Sequence, residues 1–170
     1  HIRDKFQVYC FASPDANYTI GQPASADNGF AVGSYVSRYD WIASDGTGPW
    51  FYSGYTLNDI ALYSSRGPRI DGLQKPNISA PGHAIISLRD TDVYTSLSAL
   101  WIDNDGTTGV GNANYYVMTG TSMACPITAG ASALLLDKEP TATPQLIYDA
   151  IQNGANVTGL GTVPNSTWGY

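Results

Sequence analysis

Gly120-Thr121-Ser122-Met123-Ala124-Cys125-Pro126, continuing through Ile127-Thr128-Ala129-Gly130-Ala131, is where strand turns into helix in this 170-residue chain. Tyr115-Tyr116-Val117-Met118 before it reads as a short buried strand, and Ala129 to Leu136 after it as a buried helix of small and aliphatic residues. Ser122 therefore falls at the helix start, where orphan amide hydrogens and the positive end of the helix dipole favour negative charge. An acyl-transfer nucleophile needs such a place, because its tetrahedral intermediate carries an oxyanion. A serine or threonine there commonly serves only as a cap, worth roughly 1 kcal/mol. Thr121 can cap while Ser122 carries the chemistry.

The run resembles the G-T-S-M-A-x-P nucleophile motif of the subtilisin-like serine proteases, the subtilases. Ser64-Ser65-Arg66-Gly67-Pro68, followed by Lys75-Pro76-Asn77-Ile78-Ser79-Ala80-Pro81-Gly82, is similar to the family's S-S-x-G-P and K-P-[DN]-[IV]-x-A-P-G stretches. Tyr18-Thr19-Ile20-Gly21-Gln22-Pro23, leading into Phe30-Ala31-Val32-Gly33-Ser34-Tyr35, resembles the loop and strand that precede them. The three segments stand in family order and cover most of residues 17–170. The resemblance implies an α/β fold, a three-layer sandwich around a mainly parallel sheet. It implies that Ser122 attacks the peptide carbonyl and that the Ser122 backbone N–H is one oxyanion donor. Thr121 and Met123 are then its neighbours, with Met123 beside the oxyanion site and Met118 shielded in the preceding strand.

Other parts of the family's machinery have no counterpart here. The D-[ST]-G and H-G-T-x-V motifs, which carry the orienting aspartate and the general-base histidine, do not occur. Nor does an A-A-G-N-like motif for the oxyanion asparagine. The histidines are His1 and His83, and His83, in Pro81-Gly82-His83, reads as a surface loop residue. These gaps imply the C-terminal part of a catalytic domain: residues 17–170 as that part, residues 1–16 as the last strand of a β-rich insert. Trp168-Gly169-Tyr170 is similar to the opening of the family's W-G-Y-G motif. The implied function is a serine endopeptidase in the full-length protein, acting on protein or peptide substrates, with this fragment inactive without the remainder of the catalytic domain. The alternative is a non-catalytic, degenerate subtilase or peptide-binding scaffold. A lipase or esterase fits less well, because Ala124 stands where the G-x-S-x-G elbow has its second glycine.

A net charge of −6 argues against nucleic-acid or anionic-membrane partners. No segment approaches the ~20 apolar residues of a membrane span. Charged residues make up only 13% of the chain, which suits a secreted or cell-surface hydrolase. Cys10 and Cys125 read as two free buried thiols, Cys125 packed under the nucleophile helix. Asp103-Asn104-Asp105-Gly106-Thr107-Thr108-Gly109 has alternating oxygen ligands but lacks the distal glutamate of a calcium loop, and reads as a solvated connection. No cofactor is implied, and a structural calcium has no clear motif. N-x-[ST] triplets begin at Asn17, Asn77, Asn156 and Asn165.

Strands are expected near 5–11, 29–36, 58–63, 84–88 and 115–118, and helices near 121–137 and 143–153. Thr143 should cap the second helix, with Pro144 at its first position and Gly154 at its end. Leu146, Ile147, Ala150 and Ile151 should give it an apolar face. The loop from Tyr39 to Asn58 exceeds ordinary connections and is a candidate border of a substrate cleft.

Overall fold

Short runs of β-branched and aromatic residues between Gly, Pro and Asn turns dictate short strands, and the computed structural model shows them. It describes residues 15–90, 98–102 and 114–170. The expected strand at 5–11, Cys10, His1 and the Asp103–Gly109 loop lie outside these residues. In chain order the elements are β1 (Val32–Tyr35), β2 (Asp40–Trp41), β3 (Trp50–Phe51), β4 (Ile78–Pro81) and β5 (Ile85–Leu88). A 3-10 turn at Ser98–Leu100, β6 (Trp101–Ile102), β7 (Tyr115–Met118), α1 (Thr121–Lys138) and α2 (Pro144–Asn153) follow. β1 and β4 pair. Ala31 O accepts from Asn77 N and Tyr35 O from Gly82 N, so partner numbers rise together and the pair is parallel. The expected strand at 58–63 shrinks to a bridge between Ile60 and Tyr35, since Asn58 takes a φ of 63° and turns the chain.

The chain divides into two units. The described part of the first comprises residues 15–33, 65–79 and 132–170. Here Phe30 stacks on Tyr148 at 4.4 Å between ring centroids. Lys75 is 1% exposed, and burial pushes its pKa down. Its ammonium donates to Gly29 O and to Asn77 Oδ1, so neutral oxygens satisfy the buried charge. Asn77 Oδ1 also accepts from Ala31 N at 2.8 Å, while its carbonyl accepts from Tyr170 N and Gln152 Nε2. Trp168-Gly169-Tyr170 is thereby tied to residues 77–79, with Ser79 Oγ donating to Trp168 O at 2.9 Å. Arg69 bridges Asp27 and Asp71, and its guanidinium holds the Asp71 carboxyl down at about 2.

α2 starts as its sequence dictates: Thr143 Oγ1 accepts from Leu146 N and Pro144 takes the first helical position. Gly154 ends the helix in a right-handed conformation (φ −86°), so its freedom at positive φ is not used. Of the expected apolar face only Ile147 is buried; Leu146 is 56% exposed.

The described part of the second unit comprises residues 34–64, 80–90, 98–102 and 114–131. β2 and β3 form an antiparallel hairpin inside the 39–58 loop, Trp41 opposite Trp50. β7 lies between β5 and β6, antiparallel to both, with Ile85 opposite Met118 and Trp101 opposite Tyr116. Trp41, Ala84 and Val117 form a buried cluster against which Ile86, Leu100 and Ile102 pack. The Trp41 indole donates to Ala99 O at 2.7 Å, satisfying its one polar atom.

α1 occupies the expected span, but it is not the buried helix that its composition suggests. Only Ala124 and Thr128 are buried; Leu134 is 74% exposed, and Ile127 and Leu136 are exposed as well. The helix carries apolar side chains all round, and the described residues cover only one side of it. Cys125 follows the same correction: it is free but exposed, being next to Ala124 on the turn rather than under it.

Candidate active site

Two hydrogen bonds hold the approach to Ser122, and both use backbone groups of the segment after β4. Gly120 N donates to Gly82 O at 2.8 Å, and Ala84 N donates to Thr119 Oγ1 at 2.9 Å. Gly82 O accepts a second bond from the Tyr63 hydroxyl at 2.9 Å, and that hydroxyl lies 2.9 Å from the buried Ser34 Oγ. Ser64, the first serine of Ser64-Ser65, accepts from Ser34 N at 3.0 Å. Gly82 has no room for a side chain: a Cβ there would overlap Ser34 Oγ and stand 2.7 Å from Gly120 O. Its place in the motif is therefore steric, the backbone there needing no positive φ.

At Gly120 the backbone takes a φ of 156°, which a side chain would resist. Its carbonyl accepts from Met123 N at 3.0 Å and Ala124 N at 3.4 Å, so Gly120 stands at the cap position and Thr121 is the first helical residue. The capping role open to Thr121 is filled by Gly120. Ser122 follows, exposed, and its backbone N–H has no partner among the described residues. The geometry thus presents a hydroxyl and an open amide donor together at the positive end of an 18-residue helix. Met123 is half-buried beside it. Met118 is 51% exposed, not shielded, because it lies on the open side of β7 whereas Val117 faces the core.

His83 is the described histidine, and it is not a surface residue. It is 0% exposed, with Tyr55, Tyr52 and Tyr63 around it at ring-centroid distances of 4.0, 5.3 and 6.0 Å. Burial pushes its pKa down. It makes no hydrogen bond to Ser122, so no general base meets the hydroxyl among the described residues. No cluster of His, Cys, Asp and Glu suited to a metal occurs among them either. The sequence signal for the tyrosine cage was the aromatic richness of residues 39–58, which does not say what those rings cover.

Residues 7–170 match the family model described as the Subtilase family, peptidase S8. The chain belongs to the subtilase family. It is 33% identical over 168 residues to serine protease AprX of Bacillus subtilis, an alignment covering 92% of this chain and 34% of AprX. It is 38% identical over 141 residues to pyrolysin of Pyrococcus furiosus, covering 81% of this chain and 8% of pyrolysin. This subtilase chain therefore spans about a third or less of the length of these curated relatives. Its structure is similar to that of the Clostridium perfringens CspB protease, with a TM-score of 0.61, 25% identity, and coverage of 94% of this chain and 28% of the other. The fold is accordingly α/β and subtilisin-like.

Proposed function

We propose that this subtilase chain is the C-terminal part of a serine endopeptidase domain, and that Ser122 is its nucleophile. One observation carries the reading: in a subtilase, an exposed serine stands behind a positive-φ glycine at a helix start with its own amide N–H open. The Ser122 hydroxyl attacks the carbonyl of a protein or peptide substrate, and its backbone N–H supports the oxyanion. Thr121 and Met123 flank that point on the first turn of α1. The general base, its orienting carboxylate and a second oxyanion donor come from the remainder of the catalytic domain, which also covers the exposed apolar sides of α1. Residues 1–16 close a β-rich insert, residues 17–170 form the peptidase part, and the protein works secreted or at the cell surface. No described helix is long and apolar enough to cross a membrane. The acyl-transfer step needs no cofactor.

The test is covalent labelling of the intact protein with a serine-directed phosphonate, followed by peptide mapping. A single adduct on the peptide containing Ser122 is expected. Failure to label under conditions that inactivate a control serine protease would favour the non-catalytic scaffold.

Peroxide supplies a second check, because a thioether beside the oxyanion site becomes polar and bulkier on oxidation. Peroxide should lower the intact protein's activity without unfolding it. Met118, being 51% exposed, will be oxidised too, so the mapped modification alone does not assign the effect. Met123→Leu should confer resistance, while Met118→Leu should leave the sensitivity in place. Activity loss that persists in Met123→Leu would remove Met123 from the site.

A further inference from the structure

His83 lies between the two peptide units that hold the approach to the nucleophile. Gly82 before it supplies the carbonyl that binds Gly120 N, and Ala84 after it supplies the amide that binds Thr119 Oγ1. Gly82 cannot yield toward its neighbours, since it already packs against Ser34 and Gly120 with no space for a methyl group. The side chain of His83 is fully buried among Tyr52, Tyr55 and Tyr63, and neither ring nitrogen has a hydrogen-bond partner among the described residues. Such an imidazole costs more to bury than an apolar ring of the same shape, so the fold holds a group that packing alone does not call for.

The cage admits the neutral ring and opposes the cation. Its walls are the phenols of Tyr52 and Tyr55, from the segment after β3, and of Tyr63, with Tyr116 of β7 acting on Tyr52. No charged group among the described residues acts on His83, and burial alone lowers its proton affinity. Cation–π attraction from the tyrosine rings offsets only part of the cost of burying an unpaired charge. The Tyr63 hydroxyl, meanwhile, bonds the same Gly82 carbonyl that holds Gly120, so the cage and the nucleophile approach share an atom.

We propose that His83 is a positioning residue for Ser122: its uncharged ring, seated in the tyrosine cage, keeps Gly82 and Ala84 latched to Gly120 and Thr119, and a proton on the ring releases the latch in acid. The sign follows from linkage. A histidine whose folded form binds a proton less well than the free side chain favours the released state as pH falls. Below an ordinary value of about 6.5 the released population rises about tenfold per pH unit, until the caged ring itself titrates.

The test uses the intact protein, wild type and His83→Phe, which fills the cage with a ring that cannot protonate. Its kinetic arm rests on the peptidase reading; its spectroscopic arm does not. In the kinetic arm, kcat and KM are followed from pH 8 to pH 5. The wild type should lose kcat at the acid end more steeply than the roughly tenfold per pH unit of a single proton, with KM unchanged. His83→Phe should match it at pH 8 within a few-fold and fall only about tenfold per unit in acid. In the spectroscopic arm, labelled imidazole and methionine-methyl resonances are read by NMR in the wild type. His83 should stay neutral where an exposed histidine is half protonated, and the Met123 methyl should shift in step with His83 when it titrates. Equal acid slopes in the two proteins would overturn the proposal. So would a Met123 methyl that stays still through the His83 titration, which decides the matter alone if His83→Phe does not fold or the protein proves inactive.

Discussion

Replacing Ser122 with alanine in the intact protein lowers kcat about 10⁴-fold, equivalent to about 5.4 kcal/mol of transition-state stabilisation, and leaves the fold unchanged. The effect is large because, in the role proposed for Ser122, the hydroxyl forms the bond that defines the acyl-enzyme, and the remaining donors give only residual catalysis. The fold is spared because Ser122 is exposed and the first helical hydrogen bonds go to Gly120 O, not to its side chain. KM should stay near the wild-type value, since the hydroxyl acts in the transition state more than in substrate binding. The measurement is kcat and KM with a peptide substrate, alongside a thermal melt. A variant with unchanged kcat would mark Ser122 as a helix-start residue and nothing more.

The 170-residue chain, expressed alone, shows turnover at least about 10⁴-fold below the intact protein. No histidine among the described residues is bonded to Ser122, and His83, the described candidate, is caged by tyrosines. On the proposed reading the Ser122 N–H is one oxyanion donor, and a serine hydroxyl without a base is a poor nucleophile at neutral pH. Folding works in the same direction. Leu134, Leu136 and Ile127 of α1 are exposed in this chain, so it should bind a hydrophobic dye that the intact protein excludes. Progress curves with and without a phosphonate inhibitor test the first point. Phosphonate-sensitive turnover at ordinary protease rates would show that a base lies within the chain after all.

Local patterns were legible wherever residues near in sequence do the work. β7 falls on Tyr115–Met118 and α1 begins at Thr121, because a β-branched and aromatic run meets a glycine that only a turn accommodates. Thr143 caps α2 because a hydroxyl and the amide three residues on need no distant partner. The nucleophile motif is local in the same sense, since Gly120 and Ser122 are positioned by the turn they share.

Burial was not legible, because it depends on what the rest of the chain places nearby. His83 looks like a loop residue beside Pro81 and Gly82, yet rings 20 to 31 positions earlier in the chain, Tyr63, Tyr55 and Tyr52, enclose it. Met118 and Cys125 read as interior residues by type and are exposed, because only one side of β7 and of α1 is covered. By itself, the sequence determined the strand-to-helix turn and the serine on it, both of which follow from neighbouring residues. Only the tertiary structure decided that the histidine sits buried among three tyrosines instead of facing water, because solvent exposure is set by contacts between segments far apart in the chain.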